Sequence, residues 1–453
     1  MPDPVDRSIA GDHHRRMATT TAPLDFELPV ARSGDERADL LSLDAAGLAA
    51  LMARLGEKPF RARQVFAWLH SKRVTSIAAM TDLSAALRQR LDSEAAIHRP
   101  AVDDVRVAAD GTRKYQLLTF DGHVIESVWI PHASGPGRHA LCISSQVGCA
   151  MGCRFCATAS LKLTRHLSAG EIVGQVYAVL DELAAHQPED PPLPSSKMKH
   201  RYDSGDDDDV TDDVTDDGDE DGSDGVDGGE RWSADRDARV GRPKRRIHNI
   251  VYMGMGEPLH NLDGVIGSVG LLTHPQALGM SPRRVTVSTS GVVSALPRLG
   301  AETSVHLAVS LNATTDDVRA SIMPVNKRWD LETLLAACLD FPADRRRRIT
   351  FEYVLLQGIN DSDDDARRLG RLMARFQRGA QRSKVNLIPF NAHPLSPYGR
   401  PADDRVDAFR QILDGAHIDN FVRTTRGLDI DAACGMLGAK KLEAARGALP
   451  ILS

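Results

Sequence analysis

The sequence predicts an α/β fold built around a parallel sheet, and two observations predict it. Between about residues 139 and 427, short apolar runs rich in Val, Ile and Leu recur: HALCISSQV, HNIVYM, RRVTVSTSG, VHLAVSLNA, ITFEYVLL, KVNLIPFN and FVRTTRG. Helical patterns separate most of them, and strands that alternate with helices pair in parallel. The sheet is then an open α/β sheet or a full or partial barrel.

Residues 1–36 show no sustained periodicity and read as a disordered tail. Residues 37–100 read as a small helical domain, with LDAAGLAALMARL amphipathic, PFRARQVFAWLH restarting a helix after Pro59, and DLSAALRQRL giving a third. Phe60, Phe66 and Trp68 beside Arg61 and Arg63 are candidates for RNA contact, although aromatics at helical spacing more often form core. Residues 101–135 form a β-meander, alternating apolar with polar and turning at Asp110-Gly111 and Asp121-Gly122. The α/β core spans 136–440, and 441–453 form a C-terminal tail. Ser168 and Glu171 have the spacing of a capping box and open the helix EIVGQVYAVLDELAAH. Residues 187–245, rich in Pro, Asp, Gly and Ser, interrupt the core as an acidic disordered insertion.

The chain of 453 residues has ample apolar content for a core, at 42% hydrophobic, but only 5% aromatic residues. The core must therefore rest on aliphatic side chains. No run of 18 apolar residues occurs, so no membrane span is expected. The N-terminus has no apolar h-region, and a cytoplasmic location is expected. Six cysteines in such a chain point to reduced thiols, metal ligation or catalysis rather than a disulfide scaffold. The net charge of −6 conceals an uneven distribution. Asp203 to Glu230 holds 15 acidic residues and no Lys or Arg, so the remainder carries +9. That excess suits a polyanion binder, with basic clusters at Lys244-Arg245-Arg246, Arg283-Arg284 and Arg345 to Arg348.

Cys149, Cys153 and Cys156 form C-x3-C-x2-C directly after a strand. Three thiolates on one tight loop suit a cubane cluster whose fourth iron keeps an open site. Zinc is the alternative, and its fourth ligand would be Cys142, Cys434 or a histidine. Cys338, in the helix LETLLAACLDF, reads as a packed thiol.

With Phe155 before the last cysteine, this motif resembles the signature of radical-SAM enzymes. CISSQVGCAMGCRFCATA, VYMGMGEPL, RRVTVSTSGV, VNLIPFN and DIDAACGML each resemble the RlmN/Cfr family of RNA adenine methyltransferases, over about residues 40–440 without the insertion. The resemblance implies a radical-SAM partial (β/α) barrel with the small N-terminal helical domain and short β-meander appended. It implies that Cys149, Cys153 and Cys156 hold a [4Fe–4S] cluster and that S-adenosylmethionine binds the open iron, two molecules per turnover. Gly256 and Glu257 match positions that hold the methionyl part of that cofactor. Ser288, Ser310, Leu311, Asn312 and Asn391 match further cofactor contacts, with Asn312 standing where the family often has His.

The same resemblance gives Cys434 the role of methyl carrier and Cys142 that of the thiol that releases methylated RNA, leaving a disulfide for an external reductant. Glu126 matches the position proposed as proton acceptor, although a lone carboxylate on a strand is ordinarily at the surface. The expected product is 2-methyladenosine in 23S rRNA, with the tRNA adenosine 3′ to the anticodon as a further candidate substrate. Expected partners include an electron donor such as flavodoxin or ferredoxin. Two alternatives stay open: carbon-8 methylation, as in the Cfr branch, and a zinc-stabilised RNA-binding protein without catalysis.

Overall fold

The computed structural model describes residues 37–131, 139–186, 247–342, 348–377 and 382–438. Both tails, the acidic insertion and the basic residues 244–246 and 345–347 lie outside the described residues.

Ten strands form one sheet. They are β1 Ala101–Val107, β2 Arg113–Leu118, β3 Val124–Pro131, β4 His139–Cys142, β5 Asn249–Tyr252, β6 Val285–Thr289, β7 His306–Ser310, β8 Arg348–Leu355, β9 Arg382–Pro389 and β10 Asn420–Val422. Their spatial order equals their sequence order, from β1 at one edge to β10 at the other. Strands β4 to β10 pair in parallel throughout. An order that never reverses is that of a barrel winding in one direction, not of a doubly wound sheet with a switch point. Among the described residues no pairing joins β10 to β1, so the barrel is partial.

Each parallel crossover carries at least one helix: α4 Ala169–His186, α5 Leu262–Thr273, α6 Leu296–Glu302, α7 Asp316–Ile322 with α8 Leu331–Leu339, α9 Asp363–Gln377 and α10 Asp403–Gly415. The core lies between sheet and helices, with Val287, Val309, Phe351, Leu387, Leu369 and Phe409 buried. Cys338 is buried there too, as expected. The capping box forms reciprocally: the Glu171 amide donates to Ser168 Oγ at 3.0 Å, and the Ser168 amide donates to the Glu171 carboxylate at 3.0 Å.

The meander strands β1 to β3 run antiparallel, and their turns hold Gly111 at φ +83° and Gly122 at φ +81°, where glycine avoids the Cβ clash. β3 pairs antiparallel with β4, so the meander extends the barrel sheet by three strands. The N-terminal helices are α1 Ala45–Arg54, α2 Phe60–Phe66 and α3 Ala85–Glu94. Phe66 is core, beside His70 and His274, while Phe60 is 40% exposed.

The first barrel strand is shorter than its apolar run. It ends at Cys142 because the next backbone groups bond elsewhere: the Ser144 amide donates to Gln175 Oε1 at 2.9 Å and the Ser145 amide to the Met255 carbonyl at 2.9 Å. The last strand, expected over 421–427, is only Asn420–Val422, and the chain then leaves the sheet to cross the barrel mouth.

Candidate active site

The loops that leave the C-terminal ends of β4 to β10 surround one cavity, which is where barrel folds place their chemistry. It encloses about 980 Å³ of empty space, part of it open to solvent, and Cys149, Cys153, Cys156, Glu257, Asn391 and Cys434 are among its lining.

The cysteine loop turns through Gly148 at φ +77° and Gly152 at φ +68°. A Cβ on Gly148 would overlap the Lys162 carbonyl, so only glycine fits there. Burial pushes the Cys149 thiol up to about 12 and raises those of Cys153 and Cys156, and each thiol's neighbours add to the rise. Three half-buried cysteines on one loop, each with its thiol raised chiefly by desolvation, are a donor set that the positive charge of a metal cluster would suit. The residues present therefore fit a cluster. Among the described residues no three His, Cys, Asp or Glu side chains converge on a single metal ion.

Opposite the loop, Gly256 at φ +101° lies against Gln146, where a Cβ would clash. Glu257 is buried, and its carboxylate accepts from the Leu259 amide at 3.0 Å and from the amide and hydroxyl of Ser290, each at 2.7 Å. A carboxylate has about four lone-pair positions, so one remains for a ligand ammonium. Ser288, Ser310 and Asn312 also line the cavity. Asn312 sits at φ +57°, a left-handed conformation that Asn tolerates well. Its Oδ1 accepts from the Val354 amide at 2.8 Å, and its Nδ2 faces the Met323 sulfur at 3.2 Å. Leu311 is different: its side chain is fully buried and stands outside the lining.

Cys142 and Cys434 interact electrostatically. Cys142 is buried at the end of β4, and its thiol is pushed up to about 12 by burial and then by Cys434, with Arg423 opposing. Both thiols are free. Cys434 sits on a segment, Gly427 to Gly438, that spans the mouth. Asn391 Nδ2 donates to the Cys434 carbonyl at 3.2 Å, and the Ala157 amide of the cysteine loop donates to the Gly435 carbonyl at 2.7 Å.

Glu126 departs from the expectation of a surface carboxylate. It is 4% exposed, its Oε1 is 3.3 Å from Lys114 Nζ, and its Oε2 accepts from the Gly438 amide at 2.8 Å. It is outside the cavity lining.

Two site residues escaped the sequence reading. Arg319 is fully buried and ties the strand ends together, donating to the carbonyls of Ser290, Ser310 and Leu311. Glu352 lines the cavity with a buried Oε2 that has no hydrogen-bond partner, and burial raises its pKa. Arg319 lies in DDVRASI, which reads as an exposed charged helix, and Glu352 is one polar residue within an apolar strand run. Neither pattern carries a functional signal.

Residues 38–97 match the model of the ribosomal RNA large subunit methyltransferase N-terminal domain. The dual-specificity RNA methyltransferase RlmN of Geotalea uraniireducens is 41% identical over 402 residues, covering 89% of this chain and 97% of that protein. The protein of the same name from Novosphingobium aromaticivorans is 42% identical over 420 residues, covering 92% and 90%. The chain belongs to the RlmN family. A solved radical SAM methyltransferase from Sphaerobacter thermophilus matches with TM-score 0.68 and 37% identity over 88% of this chain and 99% of that one. The partial barrel is thus a radical-SAM barrel, and this member of the RlmN family is a methyltransferase. Enzymes of this kind use S-adenosylmethionine and a [4Fe–4S] cluster, which sets aside the non-catalytic zinc alternative. Among the described residues no helix is long and apolar enough to cross a membrane.

Proposed function

We propose that this chain methylates carbon 2 of an adenosine in 23S rRNA, in the peptidyl-transferase region, and of the adenosine 3′ to the anticodon in tRNA. The observation that carries the reading is a single cavity lined by Cys434 together with Cys149, Cys153 and Cys156 of the cysteine loop. The relatives are named for the RlmN branch rather than the Cfr branch, which favours carbon 2 over carbon 8.

When bound at Cys149, Cys153 and Cys156, the cluster, with two S-adenosylmethionine molecules per turnover, supplies the methyl group and the radical chemistry. Gly256, Glu257, Ser288, Ser310, Leu311, Asn312 and Asn391 are the residues proposed to hold S-adenosylmethionine. Leu311 would act through its backbone, since its side chain is core. An aromatic C–H carbon of adenine is not nucleophilic, so polar transfer fails there. The Cys434 sulfur instead carries the methyl carbon, which would give up one hydrogen atom to that radical chemistry and bond the base, the odd electron then returning to the cluster as the ring proton leaves. Glu126, once free of the Gly438 amide, accepts the ring proton. Cys142 then gives up its proton and bonds the Cys434 sulfur as the sulfur–carbon bond breaks. The electron pair of that bond leaves with the product carbon, which takes a proton. A thiol reductant reopens the disulfide, and flavodoxin or ferredoxin is the proposed electron donor.

The N-terminal helices are proposed to hold RNA phosphates, and a cytoplasmic location follows from the substrates. The test is nucleoside mass spectrometry of rRNA and tRNA from a strain lacking the family's enzyme, with and without this chain. Restored 2-methyladenosine is expected, and 8-methyladenosine in its place would overturn the carbon assignment.

A further inference from the structure

We infer that Lys114 is a positioning residue whose buried ammonium clasps the Cys434 segment from both sides, directly at Asp431 and through Glu126 at Gly438. The inference rests on the reading of Cys434 as methyl carrier.

The argument begins with burial. Lys114, on the central strand of the meander, has a side chain only 1% exposed. Lysine is almost never fully buried unless paired, because its ammonium loses water that something must replace. Two oxygens replace it. The Lys114 ammonium donates to the Asp431 carbonyl at 3.1 Å and lies 3.3 Å from Glu126 Oε1.

Strand register explains why those groups meet. Lys114 stands opposite Val128, and Gln116 stands opposite Glu126, so Lys114 and Glu126 are diagonal neighbours on one face. Val128 also stands opposite Cys142. Directly opposed residues of antiparallel strands share a face, so a row runs from Lys114 through Val128 to Cys142, with Glu126 on the same face beside it.

The segment needs such a row. From Gly427 to Gly438 it has four positions at positive φ, at Gly427, Asp431, Gly435 and Gly438. Such a path cannot join a ladder; part of its backbone bonds within the segment, as from the Ala432 amide to the Gly427 carbonyl at 2.9 Å, and other groups find partners on other elements. The Asp110 carboxylate takes the Gly427 amide at 2.9 Å, and Asp429 takes the Ala109 amide at 3.0 Å. Thr158 donates to the Leu437 carbonyl at 2.8 Å. Lys114 alone among these anchors acts on both sides of Cys434: it bonds Asp431 and holds the carboxylate that bonds Gly438. Neither Lys114 nor Glu126 belongs to the cavity lining, so the pair acts through the segment.

The test uses the full chain with its cluster and three variants, Lys114→Gln, Lys114→Arg and the double variant Lys114→Met with Glu126→Gln. The double variant removes both charges together, so it leaves no lone buried charge if Lys114→Gln fails to fold. The first readout is the alkylation rate of Cys434 by iodoacetamide, followed by peptide mass spectrometry. Loss of a charged hydrogen bond should raise that rate about tenfold in Lys114→Gln and in the double variant, each compared after reconstitution to the parental iron content. Lys114→Arg, which keeps a cation, should restore most of the protection. The second readout is steady-state RNA methylation by Lys114→Gln, which keeps Glu126 as proton acceptor; its kcat should fall with little change in KM for RNA. A Cys434 alkylation rate at the parental value in every folded variant would overturn the clasp, as would a loss of RNA affinity with kcat intact. Cys434→Ala enzyme that still methylates RNA would overturn the carrier reading and leave the alkylation result standing.

Discussion

The Glu126 carboxylate accepts the Gly438 amide at 2.8 Å, across 312 residues of sequence. This contact closes the far end of the segment that carries Cys434, while the near end is held at Asp110. The segment thus has both ends tied.

That placement sets the first prediction. Cys142→Ala should accumulate RNA bound covalently through Cys434, because attachment precedes release. Denaturing gels of the expressed variant should show a shifted band that RNase removes. The band should vanish in the Cys142→Ala, Cys434→Ala double variant, and its persistence there would exclude Cys434 as the attachment point.

Cys149→Ala should lose most of its iron and all cleavage of S-adenosylmethionine, since each thiolate of the loop is proposed to hold one iron. Iron and sulfide per chain, with the visible absorbance of the reconstituted protein, measure it. Full iron retention would refute the ligand assignment.

Gly148→Ala should destabilise the folded chain by about 2 kcal/mol or more, because left-handed strain adds to overlap with the Lys162 carbonyl. Denaturant unfolding measures the loss. Gly56→Ala is the control: it has positive φ but open space around it, and should cost only the strain.

Much of this architecture is legible in the sequence, for local reasons. A capping box spans four residues, each meander turn is an Asp-Gly pair, and the cysteine spacing is a single loop. What stays hidden joins distant residues. Nothing in TRKYQLL says that Lys114 points inward, and nothing in DIDAACGML says that its Asp431 carbonyl receives that ammonium. The early end of β4 is hidden too, because the Ser145 amide is diverted to Met255, 110 residues later.

Stability should depend on pH through His70, which burial and then His274 lower from 6.5 to about 3. Its Nδ1 lies 2.9 Å from the Tyr177 hydroxyl. A depressed pKa means that the unfolded chain binds the proton first. The stabilisation is therefore complete above about pH 6.5 and is lost as pH falls from there toward 3. Unfolding free energy measured against pH should show a slope up to about 1.4 kcal/mol per pH unit steeper than that of His70→Phe. Equal slopes would show that His70 does not contribute.

RNA binding through the N-terminal helices should depend on Arg63 and Lys72. Both are exposed, and the Lys72 ammonium lies 3.3 Å from the centre of the Trp68 ring. Their double alanine variant should bind RNA more weakly across sequences, with a salt slope smaller by about 1 to 2 and an unchanged melting temperature. An unaltered salt slope would place the phosphate contacts elsewhere.

The hydrogen bond from the Ala157 amide to the Gly435 carbonyl joins the loop proposed to bind iron to the segment proposed to carry the methyl. Two binding events that share a contact are thermodynamically linked, and the linkage is reciprocal. Whatever factor cluster occupancy contributes to docking of the segment, docking contributes equally to retention of the cluster. An RNA that lifts Cys434 toward its base therefore also loosens the hold on iron. Such a catalyst is most vulnerable to metal loss in mid-turnover, and repeated cycles at low iron should inactivate it faster than storage does.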